Sequence, residues 1–180
     1  MKIIRILQIV LLMELSLGIL AGAQTVIASG PSLDPHLFLT LQDFEARKAF
    51  VQREPWAKAA LDEVLREADG FPQDYLNRFG LIKVAAPEKA AQWAHRYVCP
   101  ETGTHLEFHP PNHNICPDTG KDYQDWPISD AHYHYMHDML SHDAMVLGFA
   151  YRMTGKEIYA QHAAEILKLY ADKYKDYASS

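Results

Sequence analysis

In the C-terminal third of the chain apolar residues recur at intervals of three and four. Advancing about 100° per residue gathers Met136, Met139, Leu140, Ala144, Val146, Leu147, Ala150, Tyr151 and Met153 on one half of a helix. The pattern predicts one helix over 132–153, a turn at Thr154-Gly155 and a second helix over 156–177. So short a link folds the second helix back on the first as an antiparallel hairpin. His134, His137, Ser141 and Arg152 fall on its outer side, and Asp143 falls inside the apolar arc. A carboxylate there requires a partner, and a Tyr, Arg or His of a neighbouring helix is expected to supply it. The second helix is expected to bury Tyr159, Ala163, Ile166, Leu167, Tyr170, Ala171 and Tyr174.

Two further helices are predicted nearer the N-terminus. Thr40 followed by Asp43 reads as a helix start, with a hydroxyl for a free amide and a carboxylate at the positive end. Pro55 opens the next, since a first-turn proline loses no hydrogen bond, and Gly70 ends it. Residues 71–86 carry no clear period and read as short helix and loop, and Pro87 is expected to start a short helix through Ala91 and Trp93. Residues 97–128 lose the helical period and are rich in proline and aromatic side chains, which predicts an irregular insert of turns and short strands. The expected class is all-α, with that insert.

Residues 1–23 differ from the rest: Lys2 and Arg5, an apolar run to Leu20, then Ala21-Gly22-Ala23. This is the three-part layout of a secretory signal peptide, with an uncleaved anchor as the alternative. Glu14 lies inside the run, where a charge is costly for a membrane span. Val26-Ile27-Ala28 offers a second cleavage site. The expectation is a periplasmic or secreted protein that has no membrane partner after cleavage, with the remaining domain over 24–180.

The net charge of −6 argues against a nucleic-acid groove, which requires a basic surface. With only 2 cysteines the chain is no disulfide-framed miniprotein, so their placement matters more than their number. Cys99-Pro100-Glu101-Thr102-Gly103 recurs as Cys116-Pro117-Asp118-Thr119-Gly120. Both segments resemble the tight turns that present a thiolate to zinc, although each lacks the usual second cysteine. His95 and His113 stand just before the two cysteines, and with them would complete a closed tetrahedral structural zinc site. His105 and His109 are reserve ligands. A Cys99–Cys116 disulfide, or two unpaired thiols, are the competing readings. A second group, His132, His134, His137 and His142, opens the hairpin. His134 and His137 share a face, but the strong two-histidine zinc spacing is i, i+4 with a carboxylate. They read as solvated or capping histidines, or as residues facing a glycan.

Three features in this order resemble the heparinase II/III-like polysaccharide lyases. They are Asp34-Pro35-His36-Leu37-Phe38-Leu39-Thr40 before a helix, the insert His95-x-Tyr97-x-Cys99-Pro100 with His113-x-x-Cys116-Pro117, and the run Gly148 to Ala160 around Thr154-Gly155. The resemblance implies an incomplete α/α toroid of helical hairpins that acts by β-elimination on uronic-acid polysaccharides, alginate- or glycosaminoglycan-like. It makes an acidic polysaccharide the expected partner. It also implies further hairpins and the catalytic residues beyond residue 180, so that this chain is an N-terminal portion. The alternatives are an exported non-catalytic module that binds glycan or protein, and a different toroid glycosidase, which needs two carboxylates across a groove.

Overall fold

The computed structural model of the chain describes residues 39–90 and 93–177. The expected signal segment, the second cleavage site and residues 34–38 of the family-like opening lie outside the described residues. The chain divides between Glu63 and Val64 into two compact units. The described residues hold five α-helices and a single two-stranded sheet, so the molecule is mostly helical, as the periodicity predicts.

The first unit contains α1 (Leu41–Val51) and the start of α2 (Pro55–Gly70). The expected cap is present in reciprocal form. The Asp43 amide donates to Thr40 Oγ1 at 3.2 Å, and the Thr40 amide donates to Asp43 Oδ2 at 2.8 Å. Two otherwise unpaired amides are thereby satisfied. Phe50 packs edge-on against Trp56 with ring centroids 5.5 Å apart.

The second unit is built on α4 (Ile128–Thr154) and α5 (Glu157–Lys173), which form the predicted hairpin. The Gly155 amide donates to Tyr151 O at 2.7 Å and closes the first helix. α4 begins four residues earlier than the periodicity indicates, because Ser129 and Ala131 amides already bond back to Asp125 and Pro127 carbonyls. A third helix, α3 (Gln73–Phe79), lies in the stretch without a period. Ala68, Phe71, Tyr75 and Phe79 pack with Met136, Leu140, Leu147, Ala150, Tyr159 and Ile166 into the main core.

Two expectations are corrected. Residues 87–90 are not helical. Their neighbourhood spends its carbonyls on tertiary partners: Tyr75 Oη donates to Ala85 O at 2.9 Å, Tyr177 Oη to Pro87 O at 2.8 Å, and His137 Nε2 to Lys89 O at 2.9 Å. Lys89 Nζ also reaches both oxygens of the buried Asp130 at 2.8 Å. A non-helical segment tied to α3, α4 and the stretch of chain after α5 takes the place of one helical turn. The second correction concerns α5. Leu167 and Tyr174 are 63% and 77% exposed, and Ala171 is exposed with them. Among the described residues nothing covers this side of the helix, and Tyr159 and Ile166 alone are deeply buried on α5.

Residues 97–128 form the predicted irregular insert. β1 (Glu107–His109) pairs antiparallel with β2 (His113–Ile115), with Phe108 opposite Asn114. The insert has a small core of its own: Tyr97, Cys99, Leu106 and Cys116, closed by Ile128 and Ala131 from α4. Tyr97 Oη donates to the buried Asn114 Oδ1 at 2.7 Å, and Asn114 Nδ2 donates to Tyr123 O at 2.8 Å. No described helix is long and apolar enough to cross a membrane.

Candidate functional site

Both Cys-Pro segments fold into the same knuckle. Isolated bridges Val98–His105 and Ile115–Asp122 close two loops of equal length, each with its cysteine one residue inside. In the first, the Cys99 amide donates to Thr104 O at 2.7 Å and the Gly103 amide to Cys99 O at 2.8 Å. In the second, Cys116 donates to Lys121 O at 2.9 Å and Gly120 to Cys116 O at 2.8 Å. Gly103 and Gly120 have φ of 75° and 71°, the left-handed region, so the sequence repeats glycine where the backbone requires it. Side chains then cross between the knuckles in equivalent directions. Lys121 Nζ donates to Glu101 Oε1 at 2.8 Å, and Thr104 Oγ1 donates to Asp118 Oδ2.

This pseudo-twofold arrangement brings Cys99 and Cys116 together at its centre, both as free thiols, 1% and 0% exposed. Burial pushes the Cys99 thiol up, and hydrogen bonds with Cys116, Thr102, Tyr123 and the Glu101 amide outweigh it, drawing the pKa down to about 6. Thr102 Oγ1 lies 3.7 Å from Cys116 Sγ, and Tyr123 Oη lies 3.6 Å from Cys99 Sγ. The two predicted histidine ligands are placed otherwise. His113 Nδ1 sits 2.7 Å from Asp122 Oδ2, and that contact holds the Asp122 carboxyl down at about 2. His95 stands edge-on to Trp93 with centroids 5.0 Å apart. His109 lies 3.4 Å from Glu107 at the exposed end of the ribbon. Among the described residues no three His, Cys, Asp or Glu side chains form a group arranged to hold a metal ion. Of the four residues expected to ligate zinc, the structure brings only the two thiols together. Two sulfurs alone do not make the closed four-ligand set of a structural zinc site.

A pocket of about 180 Å³ lies where the insert meets α3 and α4. It is lined by Arg78, Phe79, Tyr97, His105, Leu106, Phe108, His132 and Tyr135. Its polar groups are ordered. His105 Nδ1 is 2.9 Å from Leu106 O, which only accepts, so that nitrogen carries a proton. In the neutral ring Nε2 is then an acceptor, and Tyr135 Oη donates to it at 2.6 Å. Burial raises the Tyr135 pKa, and the Arg78 guanidinium opposes that rise. His132 lies flat on Phe108, 4.9 Å apart at 8°, and burial holds its pKa below the ordinary value, so it is neutral at pH 7. The lining therefore presents one fixed cation, a phenol–imidazole couple, apolar rings and, among the described residues, no carboxylate. The exposed Trp126 stacks under Arg96 with the guanidinium 5.3 Å from its ring centre, and Trp93 is exposed at the start of the turn that carries Arg96.

The expected glycan-facing histidines divide. His137 uses both ring nitrogens to tie the fold, with Nδ1 2.8 Å from Tyr170 Oη and Nε2 on Lys89 O. His134 stands edge-on to Tyr135, one residue away from the pocket lining. The pocket couple was invisible locally, because His105 and Tyr135 are 30 positions apart and on different elements. Comparisons with protein-family models, with curated proteins and with solved structures found no match for this chain.

Proposed function

We propose that this chain is the N-terminal portion of an exported lyase that cleaves uronic-acid polysaccharides, alginate- or glycosaminoglycan-like, by β-elimination. The reading begins from the three family-like motifs. The observation that carries it furthest is the pocket with Arg78, the Tyr135–His105 couple and no carboxylate in its lining. A uronate needs its carboxylate neutralised before the adjacent carbon can lose a proton, because the intermediate is a dianionic enolate. A guanidinium suits that need, and a phenol hydrogen-bonded to imidazole provides a relay for a proton. A glycosidase would require two carboxylates flanking the scissile bond, and the lining has none among the described residues.

The uncovered stripe of Leu167, Ala171 and Tyr174 on α5 supports an incomplete α/α toroid, since a following hairpin would bury it. A second reading, an exported module that binds acidic glycans without cleaving them, is favoured by the exposed Trp93 and Trp126. Indole faces stack readily on sugar rings, and Arg96 adds positive charge there.

One experiment separates the readings. The chain, extended by any sequence encoded directly downstream, is incubated with alginate, heparin and chondroitin while ultraviolet absorbance reports unsaturated uronate. Calorimetry in parallel measures binding of uronate and neutral oligosaccharides to wild type and to Arg78→Ala. The lyase reading expects absorbance to rise and Arg78→Ala to lose uronate binding selectively. Binding without absorbance change supports the glycan-binding module, and equal binding of neutral and acidic sugars overturns both.

A further inference from the structure

The two knuckles raise a question that the pocket does not answer: what holds them together. Each resembles a metal-ligand turn in its backbone, with a Cys carbonyl capped by a left-handed glycine, yet each presents one thiol and not two. Thr102 and Thr119 stand where a second sulfur would be, and each hydroxyl accepts the amide two residues on at 3.3 Å. A neutral hydroxyl already accepting a backbone bond is a poor zinc ligand. His113 is engaged by Asp122, and His95 lies against Trp93. What remains at the centre is a pair of adjoining thiols, 1% and 0% exposed, in the core of the insert.

We propose that Cys99 and Cys116 join in a disulfide on folding, and that this bond replaces a metal as the staple of the double knuckle. The proposal is independent of the lyase reading. The two thiols form one Sγ–Sγ bond and give up two protons and two electrons. A disulfide oxidant, either a small-molecule disulfide or a disulfide carrier of an oxidising compartment, accepts them and leaves as two thiols. The thiolate of one cysteine attacks the oxidant while the chain is still open. The second cysteine resolves the mixed disulfide as the knuckles close and shut out solvent. The pseudo-twofold symmetry favours this step, because the two cysteines occupy equivalent loop positions and share one buried cluster. The bond would brace Tyr97, His105 and Leu106, which adjoin the knuckles and line the pocket.

The test is refolding of the full chain in a buffer of reduced and oxidised glutathione with zinc chloride present. The product is denatured, alkylated with iodoacetamide and weighed intact. The expected result is a mass lower by two hydrogens with no alkylated cysteine, and both cysteines alkylated once a phosphine reductant is added first. Reduction is expected to lower the melting temperature by roughly 10 °C, from the loop-closure effect expected for a bond of this span. Cys99→Ser and Cys116→Ser should each melt like the reduced protein and gain nothing from oxidant. Two alkylated cysteines in the oxidised sample, or one bound zinc per chain by elemental analysis, would overturn the proposal. The mass and alkylation arms decide it even where the serine variants fail to fold.

Discussion

Replacing Asp143 by Asn should make the protein more stable near neutral pH and abolish part of its pH dependence. Asp143 is 7% exposed, lies in the apolar arc of α4, and its Oδ2 has no hydrogen-bond partner among the described residues. Burial raises its pKa from 3.8 to about 6, with His142 opposing and Glu67 and Asp74 adding to the rise, while Arg78 opposes again. A displacement from 3.8 to about 6 corresponds to roughly 3 kcal/mol, at about 1.4 kcal/mol per pH unit. Between those values the folded chain holds the proton and the unfolded chain does not. This group's contribution therefore falls as pH rises through that window; the full penalty applies above about 6 and vanishes below about 3.8. Asn keeps the size and removes the charge, although its amide also needs partners, so the expected gain is about 1–3 kcal/mol near pH 7, shrinking towards zero near pH 4. Urea melts of wild type and Asp143→Asn across that range measure it. Equal pH slopes in the two proteins, or a variant less stable at every pH, would refute the reasoning.

Other substitutions test other parts of the fold. Tyr97→Phe leaves the buried Asn114 Oδ1 without its 2.7 Å donor and should cost about 1–3 kcal/mol by chemical denaturation. Gly103→Ala and Gly120→Ala each force a side chain into the left-handed region where nothing crowds the added carbon, so each should cost about 1–2 kcal/mol. The two losses should match, and a markedly unequal pair would break the proposed symmetry of the knuckles. On α5, Ile166→Ala should cost about 2–5 kcal/mol while its neighbour Leu167→Ser changes stability by less than about 0.5 kcal/mol in this chain. A large loss at Leu167 would mean that its side of the helix is covered.

Local chemistry carried much of the fold. Thr40 and Asp43 specify a helix start through atoms three residues apart, so the cap is legible in the sequence and present in the structure. The α4–α5 hairpin follows from a sustained period and a two-residue turn. Repeated Cys-Pro-x-Thr-Gly likewise specifies two equal turns, since left-handed glycine and the backbone bonds around it are short-range features. Where the sequence misled, distant groups decided. Pro87 is a sound helix opener, yet the carbonyls around it are taken by Tyr75, Tyr177 and His137, from segments before and after it. Periodicity places Leu167, Ala171 and Tyr174 on an apolar face but cannot tell whether another element covers it.

The histidines illustrate the same limit. Spacing makes His95 and His113 candidate ligands because they precede the cysteines, and the fold sets the His95 ring against Trp93 and the His113 ring beside Asp122. His105, a reserve ligand in the sequence, meets Tyr135 only because the insert folds onto α4. Secondary structure is set by interactions a few residues long and leaves a periodic trace. The partner of a side chain is set by which surfaces meet, and a single sequence carries no local record of that.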